Sequence, residues 1–264
     1  MDCLRKITHP IYIVSKGRHE NPLTAKALMR EGIPFRIAVE PQEYEQYCLT
    51  IPREFVAKLP FSNLGLGSYP ARNWCWEDSI ERGAARHFLY DDNIRGFLRF
   101  NHGKKVRCTA VEAMVALEVF TEKFSNVAIS GYQYAYLLTK QNRKPFTINY
   151  HVYSGMLINN KIPHRWRMKY NEDVDLCLQV LHDKWCTILL NAFLIEKMST
   201  VLKMKGGNQD ELYKGNATEK KILKARSLEV VWPQYAETKV RFGRPHHYID
   251  WRKHFPHALK RNQP

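Results

Sequence analysis

The chain has 264 residues, 44% of them hydrophobic and 12% aromatic, enough for one large domain or two small ones. That composition excludes wholesale disorder, and no apolar run reaches the ~18 residues that a membrane helix needs. The formal net charge of +15 points to a polyanionic partner, most simply nucleic acid; a basic protein that binds acidic small molecules is the alternative.

Residues 9–15 (HPIYIVS) read as a buried strand that breaks at Ser15-Lys16-Gly17-Arg18. The spacing of LTAKALMREG, closed by Gly32, predicts a helix with its C-cap. A second strand, IPFRIAVEP, ends at Glu40-Pro41, and a short helix follows through QEYEQYC. This β-α-β alternation is the pattern of a mostly parallel sheet covered by helices. After the Gly- and Ser-rich loop 62–73, residues 74–85 predict a helix, and a strand ends at Tyr90 before Asp91-Asp92-Asn93. In 109–124 Thr109 and Glu112 have capping-box spacing at the head of the clearest helix. Strands are expected over 126–134, 149–159 and 187–195, with a helix over 173–184 whose N-cap is Asn171. The polar, Gly-bearing stretch 203–221 reads as a mobile loop or lid, followed by a short helix ending at Trp232-Pro233. The expected organisation is a catalytic domain over 1–202, that loop, and a basic extension over 222–264.

In open α/β sheets ligands gather outside the carboxyl ends of strands, and three polar groups fall at such ends: Ser15 to Arg18, Glu40, and Asp91 to Asn93. Ser-Lys-Gly-Arg can meet phosphates through backbone N–H groups and two cations, or be an ordinary basic turn. Adjacent Asp91 and Asp92 repel unless a cation or hydrogen bonds stabilise them. Such oxygen ligands suit Mg²⁺ or Mn²⁺, although a solvated Asx turn is the plain alternative. A second acidic cluster, Glu172, Asp173 and Asp175, sits at a helix start, where the macrodipole accounts for one or two acids. Three acids flanked by Arg165, Arg167 and Lys169 look more like a carboxylate held ionised as a general base. The stretch 239–264 carries seven Lys or Arg and four His; His246 and His247 are candidate metal ligands or simply exposed. Further basic residues, Arg95, Arg99, Lys104, Lys105 and Arg107, complete a possible positive face with 161–169 and 239–261 for phosphate contacts. Six scattered cysteines without C-x-x-C, and an N-terminus without a secretion signal's apolar core, suggest reduced thiols in the cytoplasm.

The order of PIYIVSKGR, FRIAVEP, ARNWCWEDS, FLYDDNI, YNEDVDLCLQVL and RFGRPHHYID resembles the TET/JBP-associated glycosyltransferases. That family includes the base J glucosyltransferase and phage enzymes that glycosylate hydroxymethylated DNA bases. The resemblance spans residues 9–251 and implies a GT-A fold: a Rossmann-type mixed α/β sheet flanked by helices. It implies a divalent metal, Mn²⁺ or Mg²⁺, at Asp92, with Asn93 where a second spaced Asp is expected and His246 or His247 as a C-terminal ligand. Ser15, Lys16, Arg18, Glu40, Arg72, Asn73 and Asp91 are implied to hold a nucleotide-sugar donor, UDP-glucose first. Asp173 is implied to be the catalytic base, with Glu172 as alternate. The implied acceptor is the hydroxymethyl group of 5-hydroxymethylcytosine or 5-hydroxymethyluracil in DNA, in a host cytoplasm if the chain is phage-encoded. Arg95, Arg99, Lys104, Lys105, Arg165 and Arg167 would then contact DNA, and Trp166 would stack in the gap of a flipped base. The rival expectations are a GT-A transferase acting on a protein, glycan or small molecule, and a DNA-binding protein with a decayed transferase site.

Overall fold

The computed structural model describes residues 6–139, 144–198, 206–207, 217–241 and 243–263. The first half contains β1 (Ile11–Val14), α1 (Leu23–Arg30), β2 (Arg36–Val39), α2 (Tyr44–Cys48), β3 (Val56–Lys58), α3 (Tyr69–Glu81), β4 (Arg86–Asp91), β5 (Ile94–Asn101), β6 (Lys104–Cys108) and α4 (Ala110–Thr121). There follow β7 (Val127–Tyr134), β8 (Phe146–Ile148), β9 (Gly155–Asn159), α5 (Glu172–His182), β10 (Cys186–Lys197), α6 (Ala217–Val231), β11 (Ala236–Arg241), β12 (Arg244–Ile249) and α7 (Trp251–His254). The main sheet has the order β3-β2-β1-β4-β9-β7-β10-β5-β6, with β8 paired to β10; β11 and β12 form a separate hairpin.

Strand direction places the site. β3, β2, β1 and β4 are parallel neighbours. β9 runs antiparallel to both β4 and β7, and β10 is parallel to β7. So β1, β2, β4, β7 and β10 all finish at one edge of the sheet, and β9 begins there. That edge collects Ser15, Glu40, Asp91, Tyr134 and Lys197, plus Ser154 just before β9. Register tightens the group, since Val14 stands opposite Asp91 and Tyr90 opposite Gly155.

Side chains alternate across the sheet, so one strand feeds two cores. Ile11, Ile13, Phe88 and Tyr90 pack on the face covered by α1 and α4. Tyr12 and Leu89 pack on the other face with Trp76 of α3 and the apolar stripe of α5. That second core also takes Leu228, Trp232, Ile249, Trp251 and Phe255, so the C-terminal stretch is built into the same hydrophobic layer.

Several expectations need correcting. Helix α3 starts at Tyr69, with Pro70 in its first turn, where proline's missing N–H costs nothing. Only Gly155–Asn159 of the expected strand 149–159 is extended, because Asn149 takes a left-handed conformation. The basic run after Asp91 is a two-stranded ribbon, β5 and β6, at the sheet edge, and its exposed cations break the apolar alternation that marks a strand. Helix α6 has 15 residues and is not short. Within the expected loop 203–221, residues 203–205 and 208–216 lie outside the described residues, while 206–207 pack on the Ser15–Arg18 turn.

Candidate active site

At the carboxyl edge a cavity of about 290 Å³ is lined by Ser15, Lys16, Arg18, Glu40, Ser68, Arg72, Asp91, Asp92, Asn93, Glu172, Lys197, Gly207 and Lys224. The Asp91 to Asn93 turn is held from α1: the Thr24 hydroxyl donates to Asp91 O and accepts from Ile94 N–H, and Thr24 N–H donates to Asp92 O. Each carboxylate has a cation beside it. Arg72 Nη2 donates to Asp91 Oδ1 at 2.6 Å and Lys197 Nζ to Asp91 Oδ2 at 2.8 Å. Burial alone would raise Asp91, but Lys197 and Arg72 hold it well below the usual carboxylate range. Asp92, only 2% exposed, accepts from Ser15 Oγ at 2.6 Å and from Arg18. Burial raises its pKa despite Arg18. Lys16 pairs with Glu40 at 3.0 Å. Gly207 N–H donates to Lys16 O at 2.7 Å, and a side chain at Gly206 would collide with Gly17 O, so 206–207 lie tight on this turn.

A second cavity of about 640 Å³ shares Arg72, Asp91, Glu172, Lys197 and Lys224 with the first and adds Tyr134, His151, Ser154, Asp173, Arg244, His246 and His247. Asp173 lies in the first turn of α5, where Val174 N–H donates to its Oδ1 at 2.9 Å. His151 Nε2 stands 3.0 Å from Asp173 Oδ2, at ion-pair distance but off the line of a ring N–H hydrogen bond. Burial pushes Asp173 up; His151 and Arg72 outweigh it and keep the carboxyl below its ordinary range. Glu172 shifts the other way, raised by burial, with Ser68 Oγ donating to it at 2.8 Å. Burial, reinforced by His151, pushes His247 down to about 4, so its ring is neutral at pH 7. Asn171 occupies the N-cap position in a left-handed conformation but makes no cap; its amide donates to Lys224 O and Ser227 Oγ. That pair ties α6 to α5 and brings Lys224 to the wall between the cavities.

The donor set does not fit the expected divalent cation. Such an ion binds carboxylate oxygens at ~2.0–2.2 Å, and here it would compete with cations already paired to them, Arg72 and Lys197 on Asp91 and Arg18 on Asp92. Both oxygens of Asp91 and both of Asp92 are engaged by N–H or O–H donors. Asn93 donates to Met198 O, leaving only its buried Oδ1 without a partner. His246 and His247 line the second cavity, whereas Asp92 and Asn93 line the first. Among the described residues no three His, Cys, Asp or Glu are grouped to hold a metal.

Ser15, Lys16, Arg18, Glu40, Arg72, Asp91, Glu172 and Asp173 therefore come together as the sequence suggests. Asn73 does not: its amide is spent on the Trp166 main chain, donating to O and accepting from N–H. Trp166 is 1% exposed with Arg72 over its ring, so it is core and cannot stack in a duplex gap. Arg165 pairs with Glu77 at 2.6 Å, and Arg167 grips Asp175 with two N–H groups. Arg95, Arg99, Lys104 and Lys105 are exposed on β5 and β6. Through Glu77 Arg165 is paired to α3, which packs over β4, β1 and β2, so roughly 19 Å of sheet separates it from that ribbon. Sequence reasoning missed Lys197, Lys224, His151, Ser154 and Tyr134. The one signal was a lysine closing the apolar run of β10.

Residues 9–207 match the family described as TET-Associated Glycosyltransferase. No curated protein matches the chain. The match covers both the strand-end cluster and the Asp173 helix, and the mixed sheet with a shared two-cavity edge suits transfer between two bound substrates. The chain belongs to the TET-associated glycosyltransferase family and is a glycosyltransferase.

Proposed function

We propose that the chain transfers a hexose from a nucleotide sugar, UDP-glucose first, to the hydroxymethyl group of a modified pyrimidine in DNA. The observation that supports this most is the pair of cavities meeting at Arg72, Asp91, Glu172 and Lys197. The cavity at the Ser15–Arg18 turn suits a nucleoside diphosphate, which cations and backbone N–H groups favour. The larger one suits an acceptor base taken out of the helix, presented beside Asp173.

In the reaction the acceptor hydroxyl oxygen attacks the anomeric carbon. The bond from that carbon to the diphosphate oxygen breaks, and the departing diphosphate keeps the electron pair. Asp173 accepts the hydroxyl proton, ionised at pH 7 because His151 and Arg72 depress its pKa. One displacement inverts the anomeric centre, through an oxocarbenium-like transition state. Lys197 and Arg72 lie where negative charge grows on the leaving group. The net charge of +15 supports a DNA acceptor, with Arg95, Arg99, Lys104 and Lys105 as phosphate contacts from the exposed ribbon. A cytoplasmic setting fits the unpaired state of the five described cysteines.

Incubating the protein with DNA containing 5-hydroxymethylcytosine or 5-hydroxymethyluracil and a panel of sugar nucleotides tests this, with mass spectrometry of the digested nucleosides. A hexose gained on the hydroxymethyl base is expected. Transfer to a protein or glycan acceptor with none to DNA would sink the DNA reading.

A further inference from the structure

The donor cavity contains its own fixed cations where carboxylates alone would recruit an ion. Lys197 Nζ is held by three acceptors: Asp91 Oδ2 at 2.8 Å, Tyr134 Oη at 3.3 Å and Ser154 Oγ. An ammonium has three N–H donors, so this one is fully engaged and held in one place. Its side chain is 19% exposed, and that of Arg72, on the other oxygen of Asp91, is 7% exposed. A divalent ion bound to Asp91 would stand within a few ångströms of both cations. Like charges so close repel. Evicting Lys197 would leave a partly buried ammonium without its counter-charge, which is strongly unfavourable. Asp92 offers no alternative, because Arg18 and Ser15 close over both its oxygens.

We propose that Lys197, clamped to Asp91 beside Arg72, replaces the divalent cation at this donor site, so that the chain binds a nucleoside diphosphate without metal. The inference rests on the reading of this cavity as the donor site. The strand topology makes the placement possible: β5 leaves β4 through the Asp92-Asn93 turn and pairs with the end of β10, where Lys197 stands opposite Ile94 and Met198 N–H donates to Asn93 O. The ammonium comes ready-paired, its charge held above the ordinary lysine range by Asp91 against the effect of burial. A diphosphate leaving group therefore meets a positive charge at any free Mg²⁺ concentration.

The test measures binding of UDP, GDP, CDP, ADP and dTDP by calorimetry, once in EDTA and once with MnCl₂, alongside electron paramagnetic resonance of Mn²⁺ with the protein alone. At least one nucleoside diphosphate is expected to bind with equal affinity in both buffers, and the Mn²⁺ signal is expected to stay that of the free ion. Lys197→Gln should weaken that binding by about 30-fold, as loss of a buried charge partner does, and MnCl₂ should not restore it. Binding that requires Mn²⁺, or Mn²⁺ captured by the unaltered chain, overturns the inference alone. Failure of every nucleoside diphosphate in both buffers overturns the donor-site reading and the inference with it. If Lys197→Gln does not fold, the two measurements on the unaltered chain still decide the matter.

Discussion

Asp173 owes its expected role to its neighbours. His151 at 3.0 Å and Arg72 nearby favour the ionised form, while burial opposes it. Asp173→Asn should lower the transfer rate by about 10²- to 10⁴-fold, the span of general-base catalysis, and leave nucleoside diphosphate affinity unchanged by calorimetry. The pH dependence follows from the direction of the shift. The active form is the carboxylate, so activity falls as pH drops through its pKa, which here lies below the usual carboxylate range. His151→Gln removes a group that lowers that pKa, so the acid limb of the pH–rate profile should move upward; an unmoved limb would show that His151 does not act on Asp173. A different histidine governs stability. His87 is fully buried and its pKa is pushed down to about 4 by burial, with Nδ1 2.6 Å from Asn160 Oδ1. Unfolded histidine titrates near 6.5. Between those values the unfolded chain binds a proton that the folded chain refuses, so stability is full above pH 6.5 and falls as pH drops towards 4. The slope for one such group is up to roughly 1.4 kcal/mol per pH unit. Denaturant titrations from pH 7 to 4 should show it, and His87→Gln should flatten the curve by about one proton.

At the level of elements, the strongest local signals in the sequence are the ones the structure keeps. Thr109 and Glu112 form both halves of a capping box: Glu112 N–H donates to the Thr109 hydroxyl and Thr109 N–H to Glu112 Oε2. Thr109→Ala should cost about 1 kcal/mol, visible as a melting temperature lower by roughly 2–4 °C. The contact between β7 and β9 is less forgiving. A Cβ at Gly131 would lie 2.3 Å from Gly155 O and 2.5 Å from Val152 Cγ1, and the first of these is backbone, which cannot swing aside. Gly131→Ala should therefore force the strands apart and cost at least about 1–3 kcal/mol, as overpacked cores do. Gly155 also stands opposite Tyr90, one residue from Asp91. The same substitution should weaken nucleoside diphosphate binding by calorimetry, because Ser154 and Asp91 both hold Lys197. Elements without a local signature were the ones misread. β8 has three residues, and β5 and β6 place cations on their exposed positions, so none of the three shows the apolar alternation of a half-buried strand.

For the whole molecule, charge is the property that needs no structure. If the proposed DNA acceptor is right, a chain of +15 should lose DNA affinity steeply with salt, a slope of about −0.9 per phosphate contact in log–log form. Fluorescence anisotropy with labelled duplex across a salt series measures this, and a flat series would argue for an uncharged acceptor. The basic residues are not one face, however. Arg165 and Arg167 are paired with Glu77 and Asp175, so substitution of Arg95, Arg99, Lys104 or Lys105 should reduce the salt slope while Arg167→Ala should chiefly lower stability. Asp175 is fully buried and also accepts from Trp232 Nε1 at 2.7 Å, which would leave its carboxylate short of a counter-charge.

The Asp-Asp-Asn turn shows where one-dimensional reading stops. Local chemistry determined that Asp91 to Asn93 closes a strand at the carboxyl edge of the sheet, that Ser15 to Arg18 and Glu40 do the same, and that Asp173 opens a helix. Those follow from apolar periodicity, turn residues and capping, all short-range in the chain. What engages each carboxylate oxygen was decided only in three dimensions. Asp91 is 106 residues from Lys197 and Asp92 is 74 from Arg18; no local pattern encodes either pair. The pairing of β10 with β5 delivers Lys197 to Asp91, and the hydrophobic layer shared with the C-terminal stretch delivers Lys224 and the two histidines to the second cavity. The sequence by itself determined which residues could carry charge at this edge; the tertiary structure decided that their partners are the chain's own cations, because pairing a buried carboxylate within the protein costs less than leaving it open.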